Sequence, residues 1–156
     1  MVGTRSPCNL AWTRPRAENH TMPRIVLAST SPYRRELLNR LGLQFERVAP
    51  AVDEAAEQAK GLDPGSLART LARRKADAVA AQHPDAIVIG GDQVIALGTE
   101  VLGKPSSAAA AAAQLARLSG QEHAVITACA IVYGKRAEER SEEHTSELQS
   151  PCNLVC

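Results

Sequence analysis

The segment Arg24-Ile25-Val26-Leu27-Ala28-Ser29-Thr30-Ser31-Pro32 decides the fold class of this chain. Its first five residues form a short apolar run bounded by polar residues, which predicts a buried strand. Ser31 suits a helix N-cap and Pro32 the first helical position, so the pattern predicts a helix from Pro32 to about Leu41, which Gly42 ends. A strand that leads directly into a helix is typical of α/β folds.

Outward from this segment, strands and helices continue to alternate. The pattern predicts strands over 44–48, 86–90 and 124–133, and a hairpin that turns at Gly98-Thr99 between 94–97 and 100–102. It predicts one helix from the Asp63-Pro64 cap to Gln82 and another from Ser106 or Ser107 to Leu118. Residues 50–65 are expected to form an acidic loop. The expected inward-facing residues are Leu37, Leu38 and Leu41 in the first helix and Leu67, Leu71 and Val79 in the second. The hairpin makes the predicted sheet mixed.

Composition excludes several classes of protein. The 156 residues carry 18 Lys and Arg against 17 Asp and Glu, a formal net charge of +1, so the chain is neither a polybasic nucleic-acid binder nor an acidic tail. One Trp, two Tyr and one Phe are too few for the stacking platforms that hold single-stranded nucleic acid. No run approaches the roughly 18 apolar residues of a membrane span, and the first twenty residues lack a secretory h-region. We expect a cytoplasmic protein without nucleic-acid or membrane partners.

Both ends of the sequence differ from its middle. Ser6-Pro7-Cys8-Asn9-Leu10 recurs letter for letter at 150–154, without the period of a structural repeat. The tail resembles translated adaptor or linker sequence. We therefore expect a non-native or disordered leader over 1–21, a partial domain over 22–134 and an adaptor-like, non-native tail over 135–156. The four cysteines have no zinc-site spacing and are interpreted as unpaired thiols.

The turn after the first predicted strand has the composition of an anion site. Residues 29–35 combine hydroxyls, the free N–H groups of a helix N-terminus and two guanidinium groups, at Arg34 and Arg35. Helix N-termini bind phosphate, and Arg pairs with phosphate oxygens in a bidentate way. The alternative is a capped helix with two exposed arginines.

Carboxylates supply the second candidate feature. Asp92 follows Gly90-Gly91 at the end of a predicted strand, where open α/β sheets place ligands. Asp53 and Glu54 could join Asp92 around a hard divalent cation, which prefers carboxylate oxygens. The alternatives are a turn aspartate bonded to its own backbone and a solvated acidic loop.

Other charged motifs are less specific. Lys75 belongs to Arg73-Arg74-Lys75, most of which is expected to be a solvated helix face. Residues 98–104 fit G-x-x-x-x-G-K, but Pro105 stands where a P-loop needs Ser or Thr, so the hairpin interpretation is favoured. His83 and His123 have no nucleophile at a recognisable spacing, and a catalytic triad is unsupported.

Several separated motifs match one family in order: residues 27–38 (LASTSPYRRELL), 52–54 (VDE), 71–76 (LARRKA), 90–94 (GGDQV), 102–105 (LGKP) and 118–120 (LSG). The combination resembles the Maf family of nucleoside triphosphate pyrophosphatases across nearly all of 22–134. The resemblance implies an elongated mixed sheet with flanking helices, in a fold related to the inosine triphosphate pyrophosphatases. It also implies a cytoplasmic enzyme that uses Mg²⁺ or Mn²⁺, and it suggests a homodimer. The family continues beyond Tyr133, so we expect a C-terminal part to be missing here.

By motif match, Asp92 would be the proton acceptor. The residues lining the cleft would be Ser29, Arg34, Asp53, Glu54, Lys75 and Lys104. Gln93, together with an aromatic residue at Tyr33, resembles the subgroup that hydrolyses 7-methyl-GTP, whose cationic base could stack on the ring. The alternatives are a dTTP/UTP pyrophosphatase of the same family, a non-catalytic nucleotide-binding regulator of septum formation, and a P-loop ATPase.

Overall fold

The computed structural model describes residues 22–147. Its elements are, in chain order, β1 Ile25–Ala28, α1 Pro32–Arg40, β2 Glu46–Val48, α2 Glu54–Gln58, α3 Pro64–Ala80, β3 Ile87–Leu97, β4 Glu100–Leu102, α4 Ala108–Leu118, β5 Glu122–Tyr133 and β6 Arg136–Glu147. The predicted leader, the repeated pentamer and three of the four cysteines lie outside the described residues.

Six strands form one mixed sheet. The strand order is β2-β1-β3-β5-β6, and β4 pairs with β3 off this path. Strand β1 runs parallel to β2 and β3, whereas β3 pairs with β4 and β5, and β5 with β6, in antiparallel fashion. The structure therefore confirms the predicted α/β class and the mixed sheet.

The predicted helix starts are also confirmed, because side-chain oxygens satisfy backbone N–H groups at the first turns. Ser31 Oγ accepts from the N–H of Arg34 at 3.4 Å. Asp63 Oδ1 accepts from Ser66 at 2.9 Å, and Ser107 Oγ from Ala110 at 3.1 Å.

The core lies between α3 and the sheet, and the inward positions predicted for α3 are confirmed. Leu67, Leu71 and Val79 are at most 2% exposed. Helix α3 also approaches β3 very closely, since a Cβ placed on Gly90 would lie only 2.3 Å from the carbonyl oxygen of Ala72. Small residues at this crossing therefore permit dense packing of an alanine-rich chain.

The predicted core face of α1 is wrong. The helix has no buried residue, and Leu37 and Leu41 are 40% and 71% exposed. Leu37 and Leu38 instead line a crevice of about 150 Å³ between α1 and the sheet. The sheet opposite them presents small residues, including Gly91 and Cys129, so it does not fill the gap.

Strand β3 is longer than predicted. It continues through Gly90, Gly91 and Asp92 to Leu97, because β5 supplies antiparallel partners along this whole stretch. Asp92 therefore lies within a strand and not at its end, which corrects both the strand-end prediction and the turn-aspartate alternative.

Two further elements were not predicted. Helix α2 lies inside the predicted acidic loop, with Asp53 as its N-cap. Strand β6 pairs with β5 over its full length although all of its twelve side chains are exposed. Backbone hydrogen bonds join it to β5, and the side chains of Ser141 and Glu139 accept from Arg69 and Arg73 of α3 at 3.3 Å each. Its sequence has no apolar alternation to signal a strand. That this segment is non-native in origin stays a prediction.

Within residues 22–147, no helix combines the length and the apolar character that crossing a membrane would require.

Candidate active site

The centre of the site is a lysine held between two carboxylates from different elements. Lys75 Nζ on α3 donates to Asp92 Oδ1 on β3 at 2.6 Å and lies 2.8 Å from Glu54 Oε1, at the start of α2. Lys75 and Asp92 are each 6% exposed. Buried charges need such close partners, because neither would be solvated alone. Within the run 73–75, Lys75 is therefore the buried residue, whereas the side chains of Arg73 and Arg74 are 39% and 54% exposed, in line with the expectation that most of this run is solvated.

Positive charge surrounds Glu54. The hydrogen bond from Lys75 lowers the pKa of the Glu54 carboxyl, and the charges of Lys75, Lys104 and Arg34 lower it further, against the opposing effect of burial. Glu54 is therefore ionised at neutral pH. The same three cations generate a positive potential that suits phosphate groups.

Alternation along β3 explains the motif at 90–93. Successive side chains point to opposite faces, so Gly90 and Asp92 face α3 while Gly91 and Gln93 face α1. At Gly91 a Cβ would lie 3.1 Å from Nε of Arg34, so the arginine crosses the sheet over a residue without a side chain. Arg34 Nη1 then donates to Ser29 Oγ at 3.3 Å. Ser29 is 4% exposed and also accepts from the N–H of Ser31 at 3.1 Å.

A cavity of about 540 Å³ joins these groups. Its charged and polar lining residues are Ser31, Arg34, Glu54, Gln58, Lys75, Asp92, Gln93 and Lys104. This volume is within the usual range for small-molecule sites. Most of the predicted site residues therefore meet at one cavity, with Ser29 behind Arg34.

A second cavity of about 500 Å³ adjoins the first, because Ser31, Arg34 and Gln93 line both. Tyr33 belongs to this second cavity and is 67% exposed. Thr127 on β5 lies there too, and its Oγ1 accepts from Gln93 Nε2 at 3.3 Å. Sequence reasoning missed Thr127, because only the β3–β5 register places it opposite Gln93.

Asp53 does not join the other two carboxylates. Its Oδ1 accepts from the N–H of Ala56 at 3.0 Å, and the residue lines a separate cavity of about 790 Å³ beside the outer face of α3. Consecutive residues at a helix start point in different directions, so Glu54 faces Lys75 and Asp53 does not. In the part of the chain that the structure describes, no three His, Cys, Asp or Glu side chains are arranged to hold a metal ion.

The hairpin interpretation of residues 98–104 is confirmed. Gly98 has a φ of +60° at the turn between β3 and β4, and Ile95–Leu97 pair with Glu100–Leu102. A hairpin is not the strand–loop–helix unit of a P-loop. Lys104 follows β4 and enters the cavity rim from there.

Comparison with known proteins agrees with this geometry. The family described as Maf-like protein matches residues 24–151. The chain belongs to the Maf family. It is 46% identical over 121 residues to the 7-methyl-GTP pyrophosphatase of Ralstonia nicotianae, covering 78% of this chain and 61% of that one. It is 50% identical over 115 residues to the 7-methyl-GTP pyrophosphatase of Xanthomonas axonopodis pv. citri, covering 74% and 60%.

A relative named for a different substrate is about equally similar. This Maf-family chain is 49% identical over 112 residues to the dTTP/UTP pyrophosphatase of Deinococcus radiodurans, covering 72% of this chain and 56% of that one. The chain spans about three fifths of the length of the curated relatives that it matches.

Proposed function

We propose that this Maf-family chain carries the catalytic groups of a nucleoside triphosphate pyrophosphatase that hydrolyses 7-methyl-GTP to 7-methyl-GMP and diphosphate, which removes a modified nucleotide from the pool. The observation that carries the proposal is a buried Asp92 in one cavity with Lys75, Lys104 and Arg34. A carboxylate among fixed cations is the combination that phosphate-anhydride hydrolysis requires. The names of the relatives support the reaction class.

In the proposed reaction, Asp92 is the general base. Lys75 holds its Oδ1, and we assign Oδ2 to the attacking water. As Oδ2 takes the proton, the water oxygen forms a bond to the α-phosphorus, and the bond from that phosphorus to the α–β bridging oxygen breaks. The nucleoside monophosphate and diphosphate leave, and Asp92 returns the proton to solvent.

The cations hold the substrate and stabilise the leaving group. Arg34 and Lys104 are assigned to the phosphate chain, where they offset the negative charge that develops on diphosphate. Two of the three Nζ protons of Lys75 point at Asp92 and Glu54, which leaves one donor for a phosphate oxygen. Ser29 orients the Arg34 guanidinium from behind.

A divalent cation, Mg²⁺ or Mn²⁺, remains part of the proposal. Glu54 fits it through Oε2, the oxygen that Lys75 does not engage, because a carboxylate is a hard oxygen donor and Mg²⁺ is usually held by one or two carboxylates together with substrate phosphates. Asp92 is kept for the attacking water, because Lys75 already holds its Oδ1. Asp53 is already engaged as the N-cap of α2 and is left out of this set. The ion would neutralise charge on the bound phosphates.

The adjoining cavity is assigned to the base. The ring of Tyr33 can stack on the cationic 7-methylguanine, and Gln93 can hydrogen-bond its edge. The second candidate is a dTTP/UTP pyrophosphatase, since a relative with that name is 49% identical to this chain. The location that we propose is the cytoplasm, the partner is a nucleotide, and the assembly is a homodimer.

The test measures release of diphosphate from 7-methyl-GTP, GTP, dTTP and UTP in the presence of Mg²⁺, for the chain and for Asp92→Asn. The matched control is Asp85→Asn, an exposed aspartate on a turn away from the cavity. We expect 7-methyl-GTP to be preferred and the activity to be lost in Asp92→Asn alone. A preference for dTTP and UTP would favour the second candidate. Orthophosphate in place of diphosphate would refute the pyrophosphatase reaction. Nucleotide binding without turnover in a folded chain would refute the enzymatic proposal.

A further inference from the structure

A buried carboxylate outside the nucleotide cavity stands out on α2. The Glu57 side chain is only 5% exposed, while its two partners, Arg74 and Lys60, are about half exposed. Glu57 Oε1 lies 3.0 Å from Nη1 of Arg74, and Oε2 lies 2.8 Å from Nζ of Lys60. Glu57 lines the separate cavity beside α3, so the proposed reaction does not use it.

Helix α2 needs such an anchor. Five residues form little more than one turn, and a helix of that length is not stable in water without tertiary contacts. Of the residues of α2, Glu57 alone is buried. Besides the ion pair between Glu54 and Lys75, the anchoring of α2 therefore depends on Glu57 and on Val52, which packs against the core just before the helix.

Two ion pairs, Glu57–Arg74 and Glu54–Lys75, join the same two helices, α2 and α3. Glu54 and Glu57 are three residues apart and so lie on one face of α2. Their partners, Arg74 and Lys75, are consecutive on α3, and the two bridges measure 3.0 Å for Glu57–Arg74 and 2.8 Å for Glu54–Lys75. One bridge lies outside the nucleotide cavity and the other inside it.

We infer that Glu57 is a positioning residue of this site: by pairing with Arg74 it fixes α2 on α3, and it thereby holds Glu54 against Lys75 beside Asp92. A small displacement of a catalytic group is costly, since misplacement by 1 Å can reduce a rate by about two orders of magnitude. The inference rests on the proposed function only for its activity measurement.

The experiment compares Glu57→Gln and Arg74→Gln with Asp77→Asn. The control removes an ion pair of α3, between Arg73 and Asp77 at 2.8 Å, that does not involve α2. Arg74 is more than half exposed, so Arg74→Gln keeps the test valid if Glu57→Gln fails to fold. The first readout is amide exchange at Ala59, whose N–H donates to Ala55 at the end of α2, with the Val88 amide in the core as reference.

In both Glu57→Gln and Arg74→Gln we expect the Ala59 amide to exchange about tenfold faster or more, while exchange at the Val88 amide changes much less, because local opening of α2 does not require the core to unfold. Equal acceleration at Ala59 and Val88 would show that Glu57 only stabilises the whole fold, and would overturn the inference. Unchanged exchange at Ala59 would overturn it as well.

The second readout is kcat/KM for diphosphate release. We expect about a tenfold loss in Glu57→Gln, because a displacement of Glu54 by less than 1 Å would cost less than the roughly hundredfold loss that a 1 Å misplacement can cause. If Glu57 acts through Glu54, adding Glu57→Gln to Glu54→Gln causes no further loss. Additive losses would contradict the inference. If the unaltered chain releases no diphosphate, the proposed function fails, and the exchange measurements still decide whether Glu57 anchors α2.

Discussion

The two adjacent glycines of β3 should respond very differently to the same substitution. A Cβ at Gly90 would lie 2.3 Å from the carbonyl oxygen of Ala72 and 2.7 Å from the amide nitrogen of Ala76. Both atoms belong to the backbone of α3, which cannot move aside locally. A Cβ at Gly91 would instead meet Nε and Cδ of Arg34 at 3.1 and 3.3 Å, at the flexible end of a side chain.

The difference can be expressed as free energy. Ordinary close carbon–oxygen contacts begin at about 3.3 Å. In Gly90→Ala the distance from the new Cβ to the Ala72 carbonyl oxygen would be about 1 Å shorter than this. The substitution must therefore lift α3 from the sheet. Overpacking of this kind costs about 3 kcal/mol. For Gly91→Ala, a small shift of Arg34 is offset by the better strand propensity of alanine, so the net change stays within about 1 kcal/mol.

Urea unfolding measures both values. With a slope of about 1.5 to 3 kcal/mol per molar for a small domain, Gly90→Ala should lower the midpoint by about 1 to 2 M. Gly90→Ala should also reduce diphosphate release more than Gly91→Ala, because lifting α3 withdraws Lys75 from Asp92. If both variants unfold at the same urea concentration, or if Gly91→Ala is the less stable, the close approach of α3 to β3 does not exist and the argument fails.

Three further predictions concern charge and specificity. Lys75→Met leaves Asp92 buried without its cation and should cost about 3 kcal/mol at neutral pH. Lys75 also lowers the pKa of Glu54 by its hydrogen bond, so this part of the loss should shrink as pH falls through that lowered value, and a loss independent of pH in unfolding experiments would contradict the assignment. In the unaltered chain the pKa of Glu54 is lowered from its ordinary value of 4.5, and that of Asp63 from 3.8, so their stabilisation is present above those values and is lost as pH falls through the lower folded values. The melting temperature should therefore fall as pH is lowered below about 4.5. A melting temperature that stays constant from about pH 5 to about pH 2 would refute this. Tyr33→Ala should raise KM for 7-methyl-GTP about two- to fivefold with little change for GTP, and equal changes for both nucleotides would exclude stacking on the cationic base.

Local signals in the sequence determined most of the secondary structure. The apolar run at 24–28, the cap residues Ser31 and Asp63, and the turn at Gly98 each act within a few residues. Their hydrogen bonds join neighbours in the chain, so their effect can be read from the sequence. The motifs at 27–38, 71–76 and 90–94 similarly identified the family and most of the residues that meet at the cavity.

Long-range contacts decided the rest. Pairing with β5 carries β3 through Asp92, and the bridge from Glu57 to Arg74 docks α2 in a segment that reads as a loop. The burial of Lys75 depends on where α3 crosses the sheet, and Asp53 is separated from Glu54 by the direction in which α2 begins. Strand β6 joins the sheet through backbone bonds that any sequence can make. Except for the direction of Asp53, which its local cap bond to Ala56 sets, these outcomes depend on partners distant in the chain, and local sequence does not encode which distant partner will be present.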